Sequence, residues 1–246
     1  MLLKTNERAL DLNIKAQPDD VTCGPTCLHG VYQYYNDDIP LKQVIKEVKQ
    51  LDTGGTIAVL LANHALKRGY NATIYTYNLS TFDPSWFRQK TDLPTKLQEQ
   101  LKSRPKDIRL KEATAGYLQF LSNGGKLKFE ELTPALIRKY LNKRIPILTG
   151  LSATYLYESP RETGEFITST GQFIIRYDDV KGIPTGHFVI INGFSRKQRL
   201  AYIADPLDPN PLENQYYQVT FQKLINSIML GVMTYDANLL IVYPKK

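Results

Sequence analysis

Apolar positions recur along this chain in two rhythms. Before about residue 70 they fall every three to four residues. Leu28, Val31, Tyr32 and Tyr35 predict a helix over 23–35, ended by Asn36-Asp37-Asp38. Leu41, Val44, Ile45 and Val48 predict a second over 41–51. After a turn at 53–56, residues 57–67 predict a third helix, closed by Gly69. Residues 71–77 alternate as a half-buried strand does. Beyond about residue 145 the apolar residues gather in short runs, which predict strands over 145–151, 173–177, 187–194, 200–205 and 239–243, with a helix over 221–227. Helices first and strands afterwards predict an α+β fold with N-terminal helices packed on a C-terminal antiparallel sheet.

Residues 80–125 break this pattern. They are polar, basic and mostly helical, with helices expected over 84–90, 94–103 and 112–122, and Asn123-Gly124-Gly125 closing the segment. A helix over 133–142 follows, with Pro134 in its first turn. Residues 80–125 are too few to hold a core of their own, so they read as an insertion within a single domain spanning 1–246.

Composition narrows the class. Hydrophobic residues make up 42% and charged residues 22% of 246 residues, ordinary values for a globular protein. No segment approaches the roughly 18 apolar residues of a membrane span, and the first residues lack the unbroken apolar stretch of a signal peptide. The two cysteines, Cys23 and Cys27, lie four apart on one expected helix, where a disulfide would be strained. A reducing, cytoplasmic setting is the expectation, and it suits a reactive thiol. The net charge is +7, and much of it comes from residues 88–111, where eight Lys or Arg face three Asp or Glu. That segment is a candidate docking face for an acidic partner. It lacks the interleaved aromatics that stack bases, so nucleic acid is not expected. Three histidines and two cysteines without ligand spacing give no reason to expect a metal or cofactor.

The chemistry gathers at four residues. Cys23 stands where the first helix should begin, followed by Gly24 and Pro25. A thiol with a free pKa of about 8.5 must become a thiolate to attack, and a helix N-terminus favours the anion through its unpaired N–H groups. Cys27, one turn deeper, is expected to be a small core residue. His187 opens an apolar strand after Pro184-Thr185-Gly186 and is the candidate proton carrier, whereas His29 and His64 read as structural. Asp205 ends the next strand before Pro206, where an antiparallel neighbour can hold the imidazole of His187. Gln17, six residues before Cys23, can pair its side-chain amide with the Cys23 backbone N–H to receive a developing oxyanion.

Gln17-x5-Cys23-Gly-x2-Cys27-Leu with Tyr34-Tyr35, His187-Phe-Val-Ile-Ile-Asn-Gly-Phe, and Ile203-Ala-Asp205-Pro together resemble the papain-like cysteine peptidases. Among those, the set is most similar to the bacteriocin double-glycine leader peptidases and their stand-alone relatives, family thirty-nine of the cysteine peptidases. The resemblance covers roughly residues 14–77 and 127–243. It implies a papain-like fold, a Cys23–His187–Asp205 triad, Gln17 as oxyanion donor, an acyl-enzyme intermediate and a peptide or protein substrate. The leader peptidases are usually the front end of a membrane transporter, and this sequence carries neither a membrane span nor a Gly-x4-Gly-Lys-Ser/Thr loop. Phytochelatin synthases share a similar Cys-Gly-Pro start. The expected activity is therefore a cysteine peptidase or amide hydrolase. The alternatives are an acyltransferase, deamidase or transglutaminase-like enzyme, or a peptide-binding module without turnover.

Overall fold

The computed structural model describes residues 6–52, 54–88, 91–167, 172–234 and 236–245. Three helices lead: α1 (Cys23–Tyr34), α2 (Leu41–Glu47) and α3 (Ala58–Lys67), preceded by a short strand β1 (Glu7–Ala9). Strand β2 (Tyr70–Thr76) follows, then α4 (Leu93–Ser103), α5 (Ile108–Ser122), β3 (Lys126–Lys128), α6 (Pro134–Leu141), β4 (Ile147–Ser152) and α7 (Ala153–Tyr157). The rest is mostly strand: β5 (Glu162–Ile167), β6 (Gln172–Tyr177), β7 (Gly186–Ser195), β8 (Leu200–Ala204), β9 (Tyr216–Thr220), helix α8 (Phe221–Leu230) and β10 (Asn238–Pro244).

The main sheet runs β3-β2-β10-β4-β7-β8-β9, with β1 also paired to β7. Every pairing in it is antiparallel except β2 with β3. Strands β5 and β6 form a separate two-stranded sheet. The fold is α+β, as expected, but helices cover both faces of the sheet.

Strand parity shows why. Phe188 and Ile190 of β7, Leu148 of β4 and Leu240 and Val242 of β10 join the core under α1, α2, α3 and α5. Their alternate neighbours Val189, Ile191, Ile147, Leu239 and Ile241 join a second core under α6, α7 and α8. A strand buried on both faces reads as an unbroken apolar run rather than an alternation. This is the pattern of His187–Ile191 and Leu239–Val242.

Element boundaries depart from expectation where a cap or a buried side chain overrides the rhythm. Helix α2 stops at Glu47; Val48 is extended (φ −70, ψ 123), although its side chain keeps the apolar spacing and is buried. Helix α5 begins one turn before Glu112, because the Asp107 side chain accepts from the Leu110 N–H at 2.9 Å and caps it. The helix expected over 84–90 is a 3-10 turn over Pro84–Phe87, and residues 89–90 lie outside the described residues. Helix α8 continues to Leu230. Strands β1, β3, β5 and β9 and helix α7 answer to no sequence expectation. Phe82, Leu97, Ala113, Tyr117 and Phe120, from the basic segment, are buried in the same core as α1 and α3. Among the described residues no helix is long and apolar enough to cross a membrane.

Candidate functional site

Cys23 is the first residue of α1 and is half-buried. The helix starts against the start of β7. The Cys27 thiol, fully buried one turn on, donates to the Phe188 carbonyl at 3.3 Å. At Gly24 a Cβ would come within 2.6 Å of Thr56 Cγ2 and 3.2 Å of Phe188 Cδ2, so only glycine allows this close seating. Burial, then the Cys23 and Asp205 charges, push the Cys27 thiol well above its ordinary range, consistent with a core residue.

His187 opens β7 opposite Leu151 of β4 and is 8% exposed. Its Nε2 lies 2.8 Å from Asp205 Oδ1. Cys23 acts electrostatically on the ring, and the two side chains line the same cleft. Asp205 directly follows β8, which pairs antiparallel with β7. The structure thus pairs His187 with Asp205 and sets Cys23 on the same cleft as His187. Burial alone would discharge His187. The Asp205 charge and hydrogen bond, followed by those of Cys23, reverse that effect and push the imidazole up to about 10.

Asp205 is fully buried and well supplied with donors. His187 Nε2 and the Leu207 N–H meet Oδ1, the latter at 2.9 Å. The hydroxyls of Tyr157 and Tyr217 both donate to Oδ2, at 2.7 and 2.6 Å. Burial raises the Asp205 carboxyl, but the His187 charge and hydrogen bond, with the two tyrosines, outweigh it and hold the group below its usual range. The Tyr157 ring also flanks His187, with ring centroids 6.1 Å apart. Neither tyrosine is foreseen from the sequence. Tyr157 sits on a five-residue helix with little periodicity, and Tyr217 alternates on a strand that presents no apolar run.

Gln17 is tied to this region through its backbone, which donates to the Pro206 carbonyl at 2.8 Å. Its amide Nε2 donates to the Asp19 carbonyl at 2.8 Å, and Gln17 is not among the described residues that line the cleft. His64 is structural: its ring nitrogens contact the Tyr32 hydroxyl at 2.8 Å and Glu47 Oε2 at 3.0 Å. His29 is buried in α1, away from the cleft.

Cys23 and His187 open onto a cleft of about 610 Å³. Gly54–Ile57 form one wall, Met233, Thr234 and Asp236 another, and Glu162–Gly164 with Ile183–Gly186 a third. Arg109 and Glu112 bring helix α5 to its rim. Asp236 is a buried acid that the sequence reading did not single out. Its Oδ2 accepts the Ala58 N–H at 2.9 Å at the start of α3, and Asn238 also bonds it. Burial outweighs both bonds and pushes the carboxyl up to about 8.

That shift has a sign. A carboxyl whose folded pKa lies above its unfolded value favours folding only while protonated, so its contribution declines as pH rises from about 4 toward 8. Asp236→Asn keeps an acceptor for Ala58 and removes the titration. The variant is expected to melt about 2–4 °C above the parent at pH 8.5, with the gap closing by pH 5. A parent that melts higher at pH 8.5 would mean that the charge at the α3 N-terminus outweighs desolvation.

No protein-family model matches the chain, and no curated protein matches it. Solved structures do. A protein of Bacillus anthracis assigned to the C39-like peptidases superposes with a TM-score of 0.53 at 13% identity, over 98% of this chain and 100% of that one. A double-glycine-motif protease of an AMS/PCAT transporter, in complex with the leader peptide, gives 0.44 at 16% identity over 96% and 94% of the two chains. Xylellain, a cysteine protease of Xylella fastidiosa, gives 0.45 at 12% identity over 98% and 87%. The likeness to the Bacillus anthracis protein shows a shared fold.

Proposed function

We propose that this chain is a cysteine peptidase or amide hydrolase that works through an acyl-enzyme on Cys23. The observation that carries the reading is a buried His187–Asp205 pair on the same cleft as Cys23, the first residue of a helix. In this reading the Cys23 thiol passes its proton to His187 Nδ1, and the imidazolium donates through Nε2 to Asp205 Oδ1. The thiolate adds to the carbonyl of a peptide lying in the cleft. The tetrahedral oxyanion takes the Cys23 backbone N–H and the Gln17 amide, once that amide turns from the Asp19 carbonyl. His187 Nδ1 then hands its proton to the departing amine, leaving a thioester on Cys23. Water, deprotonated by the same nitrogen, cleaves the thioester and regenerates the thiol.

The test is capture of the intermediate. The purified protein is incubated with a mixed peptide library, quenched in acid and mapped by mass. An acyl adduct on Cys23, released as free carboxylate in water, is expected. Release onto added amine in preference to water would make the chain an acyltransferase on the same site. Retained peptide with no covalent adduct would make it a binding module and overturn the reading. In this proposal the basic segment over 80–125 is an insertion that carries Arg109 and Glu112 to the substrate's path.

A further inference from the structure

The two tyrosine hydroxyls on Asp205 have no part in the proton transfers described above, and simple packing does not account for them. Tyr157 and Tyr217 reach the same oxygen from different elements, α7 and β9. Both rings lie with the second core, where phenylalanine would fill the same space without a hydroxyl to satisfy. Burying a phenol among apolar neighbours costs free energy unless its O–H is bonded, and both bonds go to one carboxylate oxygen.

We propose that Tyr157 and Tyr217 are positioning residues for the reaction: together they hold Asp205 as a charged, fixed carboxylate, and through it keep His187 protonated with Nδ1 turned to Cys23. The inference rests on the acyl-enzyme reading of the site. Its physics is that of a desolvated anion. Asp205 is 0% exposed, and a carboxylate there stays ionised only if its oxygens receive enough donors. Oδ1 already faces His187 and the Leu207 N–H, so the tyrosines supply the donors that the structure gives Oδ2. Desolvation, followed by the Asp205 charge, pushes both phenols far above their ordinary range, so they remain donors at any pH where the protein works. Tyr157 has a second role as a wall, its ring tilted 48° against the imidazole. Two donors from separate elements also fix the carboxylate plane. That plane sets the direction in which Oδ1 receives Nε2–H, and hence where Nδ1 points.

Removing the hydroxyls therefore has a signed consequence. Without those donors the buried Asp205 takes up a proton at higher pH, and once neutral it no longer holds the His187 imidazolium beside Cys23. The rate at which Cys23 is alkylated then falls away at a higher pH on acidification. The measurement is the rate of alkylation of Cys23 by iodoacetamide, followed by peptide mapping from pH 4 to 10, in the parent, Tyr157→Phe, Tyr217→Phe and the double variant. The pH of half-maximal rate is expected to rise by about one unit in the double variant and by roughly half that in each single variant. Circular dichroism should remain that of the parent. The single variants carry the test if the double variant does not fold. A half-maximal pH that is unchanged in folded variants, with the parent Cys23 reacting fast, would overturn the positioning role alone. A parent Cys23 that reacts no faster than Cys27 would overturn the acyl-enzyme reading and this inference with it.

Discussion

Cys23→Ala is expected to lower turnover of any peptide substrate by ~10⁴-fold or more while leaving the melting temperature within a few degrees of the parent. The size follows from the position. Cys23 lines the cleft together with His187 and is the first residue of α1. What remains without it is binding and whatever oxyanion donors are in place, and those alone give modest catalysis. The small stability change follows from exposure: Cys23 is only half-buried, in contrast to fully buried Cys27. Side-by-side progress curves with a cleaved peptide, and a thermal melt of each protein, check both halves. Residual turnover within tenfold of the parent would move the nucleophile elsewhere.

Asp205→Asn carries the second largest expected effect, and its diagnostic is pH dependence. The carboxylate is the main charge that lifts His187 to about 10 against its burial. An amide in its place keeps the shape but not the charge, so turnover is expected to fall by about 10²–10⁴-fold. The alkaline limb of kcat/KM, where the imidazolium proton is lost, is expected to move down from near pH 10 by more than one unit. Stability follows the same linkage. His187 titrates higher in the folded than in the unfolded state, so its contribution is fully present below about pH 6.5 and is lost as pH rises through about 10. Asp205 titrates lower when folded, so its contribution is present above about pH 4 and is lost on acidification. The stability gap between parent and variant should therefore be widest between about pH 4.5 and 6.5. A gap independent of pH would mean that the pair is held by packing rather than charge.

Much of this site is legible in the sequence because its parts are local signals. A cysteine before Gly-Pro at the head of an amphipathic run places Cys23 on a helix start. An apolar run headed by His187 places it at the start of β7, and Asp205-Pro206 after an apolar run places Asp205 just past the end of neighbouring β8. What escapes is either long-range or contrary to rhythm. Tyr157 meets Asp205 across 48 residues of sequence, and Asp236 meets Ala58 across 178. No spacing rule reaches across those distances. Val48 keeps the beat of a helix while its backbone is extended, because burial, not helicity, selects the side chain there. The unbroken apolar runs of β7 and β10 predict strands, and the structure adds that helices cover both of their faces. The Gln17 amide is the open part of the constellation, since it bonds the Asp19 carbonyl rather than lining the cleft.

The central claim is that Cys23 is an activated thiol while Cys27 is inert. It is tested most directly by alkylating the folded parent protein with iodoacetamide at pH 6.5 and timing the label on each cysteine by peptide mapping. Cys23 is expected to react at least about 100-fold faster than Cys27, which becomes labelled only on unfolding. Equal, slow labelling of both cysteines in the folded protein would contradict the account.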